Sequence, residues 1–144
     1  MSDKLMEKAQ KKLKEGWIKS LMMIEVLAIS EEAAKSSLEN HVKKMGREKK
    51  TIVYKKEFKE IVRVENPLPP IKEAYSNVVE LELVTENFET LVFLVMTYAP
   101  SSVEILEPVA LNLEVGEAQG ILNSIAEMLH RFASAGLGGV VINA

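Results

Sequence analysis

Apolar residues recur with changing periods along this chain, and the changes mark its elements. From Ser2 the spacing Met6, Ala9, Leu13 is helical, with Trp17 in line beyond a stop at Gly16. Lys4, Lys8, Lys11, Lys12 and Lys14 occupy most of the remaining circumference. A peripheral helix over 1–16 is therefore expected, docked on the body of the domain or on a neighbouring subunit. Over Trp17 to Ile29 the period drops to two. Ile18, Met22, Ile24, Val26 and Ala28 share one face, and Met23, Leu27 and Ile29 make the other largely apolar, which predicts a central strand. Ser30 then offers an N-cap, Glu31 and Glu32 suit a first helical turn, and Ala34, Leu38, Val42 and Met45 repeat at helical spacing up to Gly46.

Between Thr51 and Val64 alternation predicts a single strand with Ile52, Tyr54, Phe58, Val62 and Val64 buried and Lys55, Glu57, Lys59 and Arg63 in water. Asn66-Pro67-Leu68-Pro69-Pro70 is expected to end it, because proline cannot donate to a strand ladder. A third strand, about Val78 to Thr85, points Val79, Leu81 and Leu83 inward, and a turn at Glu86 to Glu89 returns the chain. The unbroken run Leu91 to Met96 reads as part of a strand from Thr90 to Tyr98, covered on both faces. Ala99 to Ser102 reads as a turn, and Val103 to Leu106 as a short strand ended by Pro108. From about Glu117 to Ala135, Ala118, Ile121, Leu122, Ile125, Leu129 and Phe132 form the broadest helical stripe in the chain. Laid on the sheet, that helix should bury Leu81, Leu83, Phe93, Val95, Ile125, Leu129 and Phe132 together. Gly136, Gly138 and Gly139 would stop it, and Val140 to Ile142 would add an edge strand.

The pattern gives one α+β domain over 1–144, a two-layer fold with a mostly antiparallel sheet and helices on one face. It can be drawn as a ferredoxin-like split βαβ plan with an added N-terminal helix. A chain of 144 residues buries roughly 68 to 70 % of its unfolded surface, enough for a self-sufficient core. With no cysteine, disulfides, thiol catalysis and thiolate metal sites are excluded, and a reducing cytoplasm is the natural compartment. Glu25 interrupts the apolar run Leu21 to Ile29, which fits neither a signal peptide nor a membrane span, and no membrane partner is expected.

Charge changes the picture most. Residues 1 to 72 hold 17 cations against 11 acids and are formally +6, whereas residues 73 to 144 hold one cation, Arg131, against 10 acids and are −9. Such a split favours association with a partner or with another copy of the chain. The candidate contact surface is the basic block Lys43, Lys44, Arg47, Lys49, Lys50, Lys55, Lys56, Lys59 and Arg63, which suits an acidic protein surface or nucleic acid.

Catalytic and metal motifs are weak by comparison. Glu127 and His130 have Glu-x-x-His spacing, but His41 has no Glu three positions before it, so the second such pair of a dinuclear site is missing. His41 sits beside the Leu38 and Val42 stripe, as a packing residue does. Ser101 and Ser102 lack the glycines of a nucleophile elbow, and Gly136 to Gly139 follow a helix where a phosphate loop would precede one. No cofactor is expected. The leading expectation is a non-enzymatic binding or assembly module forming homo-oligomers. The alternatives are a nucleic-acid-binding accessory protein using the basic block, and a small-molecule-binding or enzymatic α+β domain whose pocket the sequence does not reveal.

Overall fold

The computed structural model describes residues 2–68 and 70–135, which form four helices and five strands. They are α1 (Ser2–Lys14), β1 (Ile18–Ala28), α2 (Glu31–Gly46), β2 (Thr51–Phe58), β3 (Val62–Leu68), β4 (Ile71–Thr85), α3 (Phe88–Tyr98), β5 (Ser102–Glu107) and α4 (Val115–Ser134). The glycine stop and edge strand read at 136–142 lie outside the described residues.

The strands form one antiparallel sheet in the order β2-β4-β1-β5, with β3 also paired to β4. Helix α2 joins β1 to β2 with β4 between them, and α3 joins β4 to β5 with β1 between them. This is the split βαβ, ferredoxin-like plan. Strand β1 is central because both of its faces are largely apolar. It pairs with β4 from Ile18↔Thr85 to Ala28↔Tyr75 along one edge and with β5 along the other.

Helices α2 and α3 cover one face of the sheet. Met22 and Ile24 of β1, Leu81 and Leu83 of β4, Leu38, Val42 and Met45 of α2, and Leu94 of α3 are all buried there. Each such side chain contributes roughly 1.5 to 3 kcal/mol on leaving water. Ser30 caps α2 by accepting a bond from the Ala33 N–H at 3.1 Å. Helix α1 lies across the opposite face, where Ala9 and Leu13 meet Ile52, Tyr54, Val84 and Trp17. Its end is a Schellman turn. The Trp17 N–H donates to the Lys12 carbonyl and the Gly16 N–H to the Leu13 carbonyl, both at 3.1 Å, and Gly16 takes φ +98°.

Several elements depart from the sequence pattern. Residues 51–64 are two strands, both paired to the same edge of β4, and the break between them turns Phe58 and Val62 into exposed residues. A register shift between Val53 and Lys55 breaks the alternation, so Thr51 to Tyr54 are buried in succession while Lys55 to Phe58 are exposed. The prolines do not end β3 before Leu68. Asn66 takes a positive φ of 51°, the pairing shifts between Glu65 and Leu68, and β4 starts at Ile71, well before Val78.

The apolar run read as a strand over Thr90 to Tyr98 is helix α3. Asn87 decides the matter locally. Its side-chain oxygen accepts from the Thr90 N–H at 2.8 Å and from the Thr90 hydroxyl at 2.7 Å, which starts a helix inside the expected turn. Leu91, Leu94 and Tyr98 face the core, and α4 packs on another side of α3. The run is thus covered on two sides, as its composition implied, but as a helix.

With α2 and α3 on the sheet, α4 packs on α3 rather than on the strands. Leu81 and Leu83 are fully buried as expected, whereas Phe93, Leu129 and Phe132 are exposed. Among the described residues, no helix is long and apolar enough to cross a membrane.

Candidate functional site

The basic block divides into groups with different surroundings. Lys43 and Lys44 occupy the last turn of α2, where the helix dipole favours cations, and Arg47 caps it. Lys49 and Lys50 follow in the connection to β2, which is fixed by backbone. The Glu48 N–H donates to the Met45 carbonyl at 3.1 Å, the Thr51 hydroxyl to the Lys49 carbonyl at 3.2 Å, and the Glu86 N–H to the Lys50 carbonyl at 3.0 Å. Lys50 is held at φ 62°, a left-handed conformation that glycine or asparagine adopts at lower cost. All five cations are exposed, and among the described residues none makes an ion pair.

The remaining members lie along β2 and β3, away from that loop. Lys55 reaches Glu82 at 3.9 Å, Lys59 reaches Glu57 at 3.2 Å, and Arg63 reaches Glu73 at 2.8 Å and Glu65 at 3.7 Å. Lys56 is exposed between them. Lys19 of β1 likewise meets Glu107 of β5 at 3.8 Å. The charge split of the sequence is therefore partly neutralised inside the fold. Strands from the basic half pair with strands from the acidic half, and opposite charges across a ladder support its register.

Tyr98 ties the basic loop to α3. Its hydroxyl donates to Glu48 Oε2 at 2.7 Å, and its backbone carbonyl accepts from His41 Nε2 at 2.8 Å, with the His41 ring edge-on to the Tyr98 ring at 5.1 Å. Burial, and then the bond to Glu48, push the Tyr98 hydroxyl up to about 12. His41 is thus a half-buried packing residue bonded to a carbonyl.

Beside this loop lies a groove of about 930 Å³. Arg47, Lys49 and Lys50 form one wall, Phe93 and Met96 of α3 the floor, and Ile121 and Met128 of α4 the far side. Glu48, Glu89 and Glu127 also line it, together with Arg131. Glu48 accepts from Tyr98, Glu127 lies 3.9 Å from Arg131, and Glu89 packs against Gly120, where an added Cβ would stand 2.6 Å from its Oε2. Glu117 fastens the two helices together by accepting from the Glu89 N–H at 3.0 Å.

Helix α4 carries two apolar faces. Ile121 and Met128 point to α3 and the groove, while Val115, Ala118, Leu122, Ile125, Leu129 and Phe132 follow one another at alternating spacings of three and four residues along an adjacent face. Within that seam Val115 is 84 % exposed, Leu122 62 %, Leu129 51 % and Phe132 44 %. The sequence pattern merged the two faces into one stripe. The alternating spacing was the signal that separates them.

The other candidates have ordinary roles. Glu127 and His130 lie on the polar side of α4, and among the described residues no group of three His, Cys, Asp or Glu side chains is placed to hold a metal ion. Ser101 bonds to the Met23 carbonyl through both its N–H, at 2.7 Å, and its hydroxyl, at 3.1 Å, as a turn residue.

Comparison with curated proteins and with solved structures gives no match. A family model does match, over residues 19–143, from the start of β1 through α4, and the chain belongs to the MJ0538 family.

Proposed function

We propose that this chain is a non-enzymatic assembly module that self-associates through α4. The observation that carries the reading is the exposed seam Val115, Ala118, Leu122, Ile125, Leu129, Phe132. Alternating spacings of three and four are those of helices that pack side by side, and 20 residues of helix extend about 30 Å. Within the helix the residues flanking the seam are Gln119, Ala126 and Ala133 on one side and Ile121 and Met128 on the other, all uncharged, with Glu114 at the helix cap the nearest acid in that row. A self-complementary stripe of this kind suits a two-fold, isologous contact. Apolar burial supplies the affinity. Lys19, Lys55 and Arg63 already have acidic partners from the other half of the chain, which weakens the charge split as a driving force between copies. A cytoplasmic setting belongs to the same reading and is supported by the lack of cysteine.

Sedimentation velocity of the whole chain at micromolar concentration tests this. The native chain sediments as an oligomer, and the double variant Leu122→Glu, Leu129→Glu sediments as a folded monomer with unchanged circular dichroism. A native chain that is monomeric, or a double variant that still associates, would refute it.

A further inference from the structure

The groove between the α2–β2 connection and the α3–α4 pair has two unlike walls, and together they select one chemistry. Arg47, Lys49 and Lys50 stand along one side with no ion pair among the described residues. Phe93, Met96, Ile121 and Met128 line the rest, and Phe93 is exposed although it belongs to an otherwise well-covered helix. Glu127 lies by Arg131, which leaves Arg47, Lys49 and Lys50 facing Glu48 and Glu89, so the lining keeps an excess of positive charge. A volume of about 930 Å³ falls within the range of small-molecule sites, roughly 300 to 1,000 Å³. Methionines at Met96 and Met128 give the floor an adaptable, polarisable surface suited to flexible apolar groups.

Lys50 adds an independent sign. It occupies a left-handed position, φ 62°, where glycine would relieve strain, and it points charge at this groove.

We infer that this groove binds a small amphipathic anion, one with a single carboxylate or phosphate head held by Arg47, Lys49 and Lys50 and an apolar tail laid on Phe93, Met96 and Met128. The concave shape favours such a molecule over nucleic acid. Three cations on one wall are too few to track a phosphate backbone, whereas the apolar floor suits a tail. The site shares α4 with the proposed assembly seam but uses the adjacent face, so the two are separable by mutation.

Isothermal titration calorimetry of the whole chain with decanoate, decanol and inorganic phosphate tests the inference. Decanoate binds saturably at one site per chain, and both decanol and phosphate bind at least about tenfold more weakly, because each lacks one half of the recognised chemistry. Arg47→Glu with Lys49→Glu weakens decanoate about tenfold or more at unchanged circular dichroism. Lys50→Gly raises the melting temperature and still weakens decanoate, a combination that a purely structural role for Lys50 does not produce. The assembly variant Leu122→Glu, Leu129→Glu keeps decanoate binding. The inference is overturned by absence of saturable decanoate binding, by decanol or phosphate binding as tightly, by indifference to the charge reversals, or by a single-stranded oligonucleotide that displaces decanoate through the same cations.

Discussion

At the scale of single residues, Thr85 is a buried polar group whose removal should help. Thr85 is fully buried between Ile18 and Thr51, and its hydroxyl has no hydrogen-bond partner among the described residues. Replacing an unpaired buried hydroxyl by a methyl group of the same shape recovers its desolvation cost. Thr85→Val is expected to raise the unfolding free energy in urea by about 1 kcal/mol. No gain would mean that the hydroxyl is bonded. The tyrosines give a second residue-scale expectation. Tyr54 is raised by burial and then by Glu82, Tyr75 by its bond to Glu73, and Tyr98 to about 12 by burial and Glu48. A raised acid holds its proton in the native state after the unfolded chain has lost it. Its stabilisation is complete below the unfolded value near 10 and is lost as pH rises toward about 12. Stability should therefore fall across that window, and tyrosinate absorbance should lag behind that of the denatured chain. Ionisation of all three tyrosines at the ordinary value would contradict the hydrogen bonds assigned to them.

At the scale of elements, legibility followed how far the cause of each element lay along the chain. The elements α1, β1 and α2 were readable because their signals are local: a glycine stop, a two-sided apolar strand, and a serine cap with acids after it. Helix α3 was not. Six apolar residues in a row satisfy strand and helix alike, and the deciding group is Asn87 outside the run. Asn87→Ala should destabilise the protein by about 1 to 2 kcal/mol, measured by denaturant unfolding, since it removes an acceptor used by both the N–H and the hydroxyl of Thr90. A loss within error would mean that packing alone specifies α3. The split of residues 51–64 into β2 and β3 was hidden because its cause is pairing to the long strand β4, a partner distant in sequence. Helix α4 was legible as a helix but not in its placement. Its stripe is broad enough for the sheet, yet α2 and α3 hold that surface, and the groove beside Arg47, Lys49 and Lys50 exists only because α4 stacks on α3.

At the scale of the whole molecule, the charge split and the exposed apolar seam play different parts. Lys19, Lys55 and Arg63 meet acids from the other half of the same chain, so segregation along the sequence becomes interleaving in the sheet. The self-association proposed through α4 would then rest on apolar burial, which salt does not screen. Raising ionic strength from about 0.1 to about 1 M shortens the screening length from about 10 to about 3 Å and should leave the oligomer intact by light scattering. Dissociation at high salt would return the driving force to charge. Whether the Val115 to Phe132 seam of α4 is the contact between copies can be read directly, because the sequence has no cysteine. Single-cysteine variants Ile125→Cys, on the seam, and His130→Cys, on the polar side of the same helix, are treated with a short bismaleimide cross-linker at micromolar concentration. The account predicts rapid conversion of Ile125→Cys to covalent dimer while His130→Cys stays monomeric on denaturing gels. Equal cross-linking of the two, or none at Ile125→Cys, would contradict it.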